Sequence, residues 1–224
     1  MGQRTSRFLT LFASAAALAL TAGTAAMAAT VIGDAGSNVL TGTDERDVIL
    51  GRAGDDTVNA LARGDLVRAG RGSDTVNAGR GHDRVHGGRQ DDTLNGEGGH
   101  DFISGGRGDD TLSGGARGDL IFANRGRDRT DGGDGPDRLW ALSRFDVASI
   151  GDPEGDELTG GNGRDRIRVR DGEVDLVHCG EGNDRVHADQ FDVTDTDCEH
   201  VHRREVTSLD QVEDGAENRV EDAS

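Results

Sequence analysis

The chain has no lysine and no tyrosine, two prolines, two cysteines and 3% aromatic residues among its 224. With only 33% hydrophobic residues, it lacks the apolar material for a conventional layered core. Its positive charge is all arginine, and the formal net charge is -18 with an isoelectric point near 4.6. That balance argues against a nucleic-acid partner, which needs a positive surface for the phosphates; cations are the natural partners. Neither His-Glu-x-x-His nor Gly-x-Ser-x-Gly occurs, which removes the zinc protease and the serine hydrolase. The chain therefore reads as a non-enzyme. Its paired carboxylates, such as Asp109-Asp110, are products of repetition rather than catalytic pairs.

Long apolar runs are also missing, apart from one near the N-terminus that is too short and too early for a membrane span. Arg4 and Arg7 precede the mostly apolar stretch from Phe8 to Leu20, and Ala26-Met27-Ala28 follows as a small-residue cleavage site. Residues 1–28 are accordingly expected to be a secretory signal, and the mature protein to be soluble and extracellular. Cleavage removes two arginines and no acid, which takes the net charge from -18 to -20.

What the chain has is glycine, 36 residues of it, and aspartate in strict rhythm. Twelve aspartates stand nine residues apart: Asp47, Asp56, Asp65, Asp74, Asp83, Asp92, Asp101, Asp110, Asp119, Asp128, Asp137 and Asp146. Two positions beyond each of the first nine comes an aliphatic residue, from Ile49 and Val58 to Leu112 and Ile121. Gly105-Gly106-Arg107-Gly108-Asp109-Asp110-Thr111-Leu112-Ser113 is a clean copy, and Gly160 to Arg168 is another. Glycines permit a tight turn, and the short strand after it turns one side chain inward between two outward neighbours. Turn plus strand is half a coil, so aspartates 18 residues apart stack at about the 4.8 Å strand spacing. Carboxylates that close repel one another unless a cation lies between them. A hard divalent ion with oxygen ligands fits, and calcium fits better than magnesium, which demands stricter geometry.

The pattern resembles the RTX (repeats-in-toxin) nonapeptide, Gly-Gly-x-Gly-x-Asp-x-aliphatic-x, over roughly residues 33–200. The resemblance implies an all-β fold, a parallel β-roll or β-solenoid of stacked 18-residue coils, that folds with Ca2+. It implies calcium at Asp56, Asp74, Asp83, Asp92, Asp101, Asp110, Asp119, Asp128, Asp137, Asp165 and Asp184, with turn carbonyls as further ligands. Toxin activity is not implied, because no toxin or enzyme domain accompanies the repeats.

The turns are unequal. Glu45, Arg63, Gln90, Arg117 and Arg144 replace the glycine two residues before Asp47, Asp65, Asp92, Asp119 and Asp146, and these turns are expected to bind calcium poorly. Arginine recurs three residues before the aspartate, as Arg71, Arg80, Arg89, Arg107 and Arg125. It either balances charge on the turn surface or pairs with aspartate in place of calcium. The two faces differ as well. Thr57, Asn59, Thr75, Asn77, Thr93 and Asn95 mark a polar sheet; Leu50, Leu66, Phe102, Leu120, Phe122 and Trp140, mixed with arginine and histidine, mark an apolar stripe on the other. Such a stripe is a surface for a protein partner or for self-association.

Between Ala141 and Pro153 the glycines vanish and the register slips to ten, from Asp146 to Asp156, as in a bulged coil or a short linker. The expected organisation is a regular roll over 29–149, irregular coils over 150–202 and a disordered acidic tail over 203–224. Cys179 and Cys198 lie 19 residues apart, one coil plus one residue, which suits a disulfide stapling the last coil. The competing reading joins them to His178, His187, His200 or His202 in a metal site. The sequence thus describes a secreted calcium-binding repeat protein with a structural, adhesive or envelope-associated role; the alternative is a calcium-switched module that docks a partner through its apolar face.

Overall fold

A nine-residue unit with one aliphatic side chain can bury it only by winding against copies of itself. The computed structural model describes residues 10–12, 27–141 and 155–205, and among these it contains strands and no helix. The chain alternates between two parallel sheets. The first passes through Thr10–Phe12, Thr30–Ile32, Val48–Ala53, Leu66–Arg71, Arg84–Arg89, Phe102–Arg107, Leu120–Arg125, Arg138–Trp140, Arg166–Val169, Arg185–Ala188 and His200–Arg203. The second passes through Val39–Thr41, Thr57–Asn59, Thr75–Asn77, Thr93–Asn95, Thr111–Ala116, Arg129–Asp134, Glu157–Gly163, Leu176–Gly182 and Val193–Thr194. Register follows the 18-residue coil: Val67 pairs with Val85, and Val85 with Ile103. The expected β-solenoid is the fold.

Alternation along each strand decides what faces inward. In one half-coil Asp65, Val67 and Ala69 are enclosed while Leu66 and Arg68 face out. The interior is a line of single aliphatics, Leu40, Ile49, Val58, Val67 and onward to Val186, flanked by alanine and glycine. Each buried aliphatic stabilises by roughly 1.5–3 kcal/mol, and the sheet hydrogen bonds between coils hold the rest in place. The outward rows confirm two unlike faces. Thr57, Thr75, Thr93 and Thr111 lie in register on the second sheet. On the first, the rings of Phe102 and Phe122 are 5.4 Å apart, those of Phe122 and Trp140 4.5 Å, and the Arg168 guanidinium lies 5.4 Å from the Trp140 ring.

The bulged coil or short linker expected between Ala141 and Pro153 lies almost wholly outside the described residues, but the coils that flank it are described. Arg129 pairs with Glu157, and Arg138 with Arg166, each 28 residues on. Asp156 therefore sits on the rung next to Asp128, and an expected rung at Asp146 has no place between them; Asp146 belongs to 142–154, outside the described residues. The sheet hydrogen bonds thus join coils 28 residues apart, where the count of nine expected a rung between. The start of the predicted tail shifts too. Arg203 ends the last strand, with Nη1 donating to the carbonyls of Asp189 and Asp192 at 2.9 Å each. The rest of that tail from residue 206 lies outside the described residues, as does most of the predicted leader, of which Thr10–Phe12 pairs with Thr30–Ile32.

Cys179 and Cys198 form a disulfide with Cα atoms 5.1 Å apart, which rules out the mixed cysteine–histidine metal site. Closing a loop of this size contributes about 3 kcal/mol in the chain-entropy account. The turns without glycine keep their shape: Arg63, Gln90 and Arg117 adopt φ of +69°, +75° and +83°. Left-handed backbone costs a non-glycine residue about 1–2 kcal/mol, partly offset by the larger entropy that glycine loses on folding. Gln90→Gly and Arg117→Gly are each expected to stabilise the calcium-loaded chain by about 0.5–1 kcal/mol. Thermal unfolding in calcium checks this, and a lower midpoint in both variants would contradict it.

Candidate metal centre

Alternation and period together place one aspartate of each half-coil inside the wall of the roll, at the junction of turn and strand. The first oxygen of each carboxylate has a structural task. Oδ1 of Asp74 accepts the backbone N–H of Asp56 at 2.7 Å, Oδ1 of Asp92 that of Asp74 at 2.8 Å, and Oδ1 of Asp110 that of Asp92 at 2.7 Å. The other line of turns does the same, from Asp47 through Asp65, Asp83, Asp101 and Asp119 to Asp137. The two lines continue through the irregular coils, Asp128 to Asp156 to Asp175 and Asp137 to Asp165 to Asp184. Each described aspartate of the two lines thus clamps the backbone one coil before it.

The second oxygen has no such task. Asp56, Asp74, Asp83, Asp92, Asp101, Asp110, Asp119, Asp128, Asp137, Asp165 and Asp184, all eleven of the aspartates marked from the sequence, are at most 3% exposed, and Oδ2 of each is enclosed without a hydrogen-bond partner. Asp65, Asp156 and Asp175 share this arrangement. Asp65 is hidden in the sequence by Arg63, and the other two by the irregular register, although each keeps its aliphatic residue two places on, as Val67, Leu158 and Val177. Asp47 differs, because Thr43 caps its Oδ2 through both N–H and hydroxyl.

The surroundings of Oδ2 fit a hard cation. A methyl carbon placed on Gly105 would lie 2.4 Å from Oδ2 of Asp110 and 2.8 Å from the carbonyl oxygen of Ala123, one coil on. Two acceptors therefore converge on the space that glycine leaves open, and with the carboxylate ionised neither can donate to the other. Gly51, Gly87, Gly96, Gly114, Gly132 and Gly160 repeat the arrangement, each with its own aspartate and the next coil's carbonyl. At Asp65, Asp74, Asp83 and Asp128 the corresponding residue is Ala60, Ala69, Ala78 or Ala123, whose methyl enters that space. Arginine does not replace a cation here, because a guanidinium on these carboxylates would give Oδ2 a donor. Arg71, Arg89 and Arg107 instead stand exposed, in register on the turn surface.

Burial is the main cause that shifts these carboxyls upward. It raises Asp74, Asp83, Asp101 and Asp165 from 3.8 to about 6, Asp65, Asp110, Asp119 and Asp137 to about 7, and Asp92 to about 8. The backbone N–H that each accepts pulls the other way, less strongly. Asp128 is raised further, by burial and then by the carboxylate of Asp156. A raised folded-state value means that the metal-free roll binds more protons than the unfolded chain between the two values, so its stability falls as pH rises through that window. In chelator, the β signal in circular dichroism is expected to be strongest below about pH 4 and to fade by about pH 8. A chelated chain whose β signal grows over that range would contradict the proton-for-cation reading.

The match to known repeats covers most of these aspartates and ends before Asp175 and Asp184. The family model for the RTX calcium-binding nonapeptide repeat (4 copies) matches 32–62, 59–94, 68–103, 80–112, 104–139 and 150–173. No curated protein matches the chain. RTX nonapeptide repeats bind calcium, as the paired oxygens of the turns require. With more than half of its length matched and its aspartates stacked coil upon coil, the chain belongs to the RTX calcium-binding nonapeptide repeat family.

Proposed function

We propose that this calcium-binding repeat protein is a secreted scaffold that folds when calcium occupies the spaces between its coils. The observation that carries the reading is the column of enclosed Oδ2 atoms with no donor, because buried carboxylates without partners are strongly unfavourable. Asp56, Asp92, Asp101, Asp110, Asp119, Asp137 and Asp165 are the strongest ligands, since glycine leaves the space beside each open; Asp92 and Asp119 are included, against the expectation from Gln90 and Arg117, because Gly87 and Gly114 keep that space. Asp74, Asp83, Asp128 and Asp184 complete the set with less room. Carbonyls of the turns supply the other oxygens, and binding free energy becomes folding free energy. A structural, adhesive or envelope-associated role follows for a rigid acidic rod of this kind. At pH 8, circular dichroism is expected to show β structure on adding calcium and far less on adding magnesium. A full β spectrum in excess chelator at that pH would sink the proposal.

A second reading is favoured by the first sheet, where His86, Phe102, Phe122, Trp140 and Arg168 form a continuous ladder of ring and cation contacts on the outer face. In this reading calcium assembles the ladder as a docking surface for a separate protein. Size-exclusion chromatography with light scattering, run in calcium, separates the two. A docking module is expected to be a monomer, whereas self-association abolished by Trp140→Ala returns the chain to the structural role.

A further inference from the structure

Four and two residues before Asp175, where the repeat places glycine, stand Asp171 and Glu173. Among the described residues, the turn before Asp175 is the one with an acid at both of these glycine positions. Gly172 between them takes φ of +99°, which turns the backbone at this point, and both acids are buried. The coil is also longer here, 19 residues from Asp156 to Asp175. The two acids are 4% and 3% exposed, and Asp175 is fully enclosed.

We propose that Asp171, Glu173 and Asp175 form a second kind of calcium site, a cage in which two further side-chain carboxylates join one aspartate of the column. One carboxylate oxygen from each residue lies within 4.8 Å of the other two, close enough for one hard cation to bridge all three. Asp175 supplies the independent sign of a ligand. Its Oδ1 accepts the Asp156 amide at 2.7 Å, while its Oδ2 is enclosed with no hydrogen-bond partner. The carboxylates of Asp171, Asp156 and Asp192 all bear on Asp175 electrostatically. Asp189, fully buried, is already engaged by the amides of Gly172 and Phe191 and so closes one side without competing for the ion.

Three carboxylates on one ion give the cage more ligand charge than a repeat turn offers, and affinity for calcium rises with ligand charge and with rigidity. Rigidity comes from the disulfide that begins four residues after Asp175, at Cys179. The cage is therefore the tightest site of the chain and fills first. A solenoid can nucleate at any coil and propagate to its neighbours, so a filled cage beside a covalent staple makes the C-terminal coils the starting point of calcium-driven folding.

The inference rests on the calcium reading of the roll only for the identity of the ion. The test is bound calcium per chain, measured by equilibrium dialysis over buffered free calcium, with circular dichroism of the same samples. The full chain is expected to hold one calcium ion at concentrations where most of the β signal is still absent. Asp171→Asn/Glu173→Gln is expected to lose that ion and to need more calcium to fold, whereas Asp110→Asn keeps it. Glu173→Gln alone, the gentler change, is expected to weaken retention by at least about tenfold, and it decides the matter should the double variant not fold. A single-variant isotherm that overlays the wild type, or a wild-type chain with no early ion, overturns the cage while a calcium-dependent β signal still supports the repeat reading. Absence of any spectral response to calcium in the wild type overturns the repeat reading itself.

Discussion

Stacked aspartates inside the wall of a narrow roll are the constraint on which the rest of this structure depends. Each carboxylate uses one oxygen to hold the backbone of the coil before it, and holds the other in an enclosed space with no donor. The first interaction sets the distance between coils and fixes the register along the whole column. The second leaves a row of buried acceptors that only protons or cations can satisfy. One residue type thus both builds the solenoid and makes it conditional on what it binds.

The rest of the sequence is consistent with that condition. A thin interior of single aliphatics, Leu40 through Val186, buries too little surface to hold so glycine-rich a chain by the hydrophobic effect alone. The small residue five places before each aspartate as far as Asp165 then tunes the individual turns. Where it is glycine, as at Gly105, the carboxylate and the next coil's carbonyl converge on open space; where it is alanine, as at Ala69, a methyl enters. The outer faces are independent of this machinery. They carry threonine and asparagine on one sheet, and aromatic rings with arginine on the other, on a support whose geometry is set from within.

Most of the fold was legible because a strict period leaves few ways to wind. The nine-residue beat gave the half-coil, two half-coils gave the unlike faces, and the 19-residue spacing of Cys179 and Cys198 gave the disulfide. Legibility failed where the beat was the wrong ruler. The beat passes through Asp146, outside the described residues, whereas the hydrogen bonds between coils join Asp128 directly to Asp156. Asp156 and Asp175 kept the stack without the beat. Arg63 and Gln90 looked like broken turns, yet left-handed backbone is a cost of only about 1–2 kcal/mol and the flanking coils impose it.

By itself the sequence determined the unit of structure, its parallel stacking, the aspartate column and the class of ion that the column suits, since all of these follow from periodicity and local chemistry. Only the tertiary structure decided how the two oxygens of each carboxylate divide their work. It also decided that Thr43 satisfies Asp47, that Asp128 stacks on Asp156 across 28 residues, and that Asp171 and Glu173 turn inward beside Asp175. The reason is physical: these are contacts between successive coils, and which residues become neighbours there depends on the length of every coil rather than on any local motif.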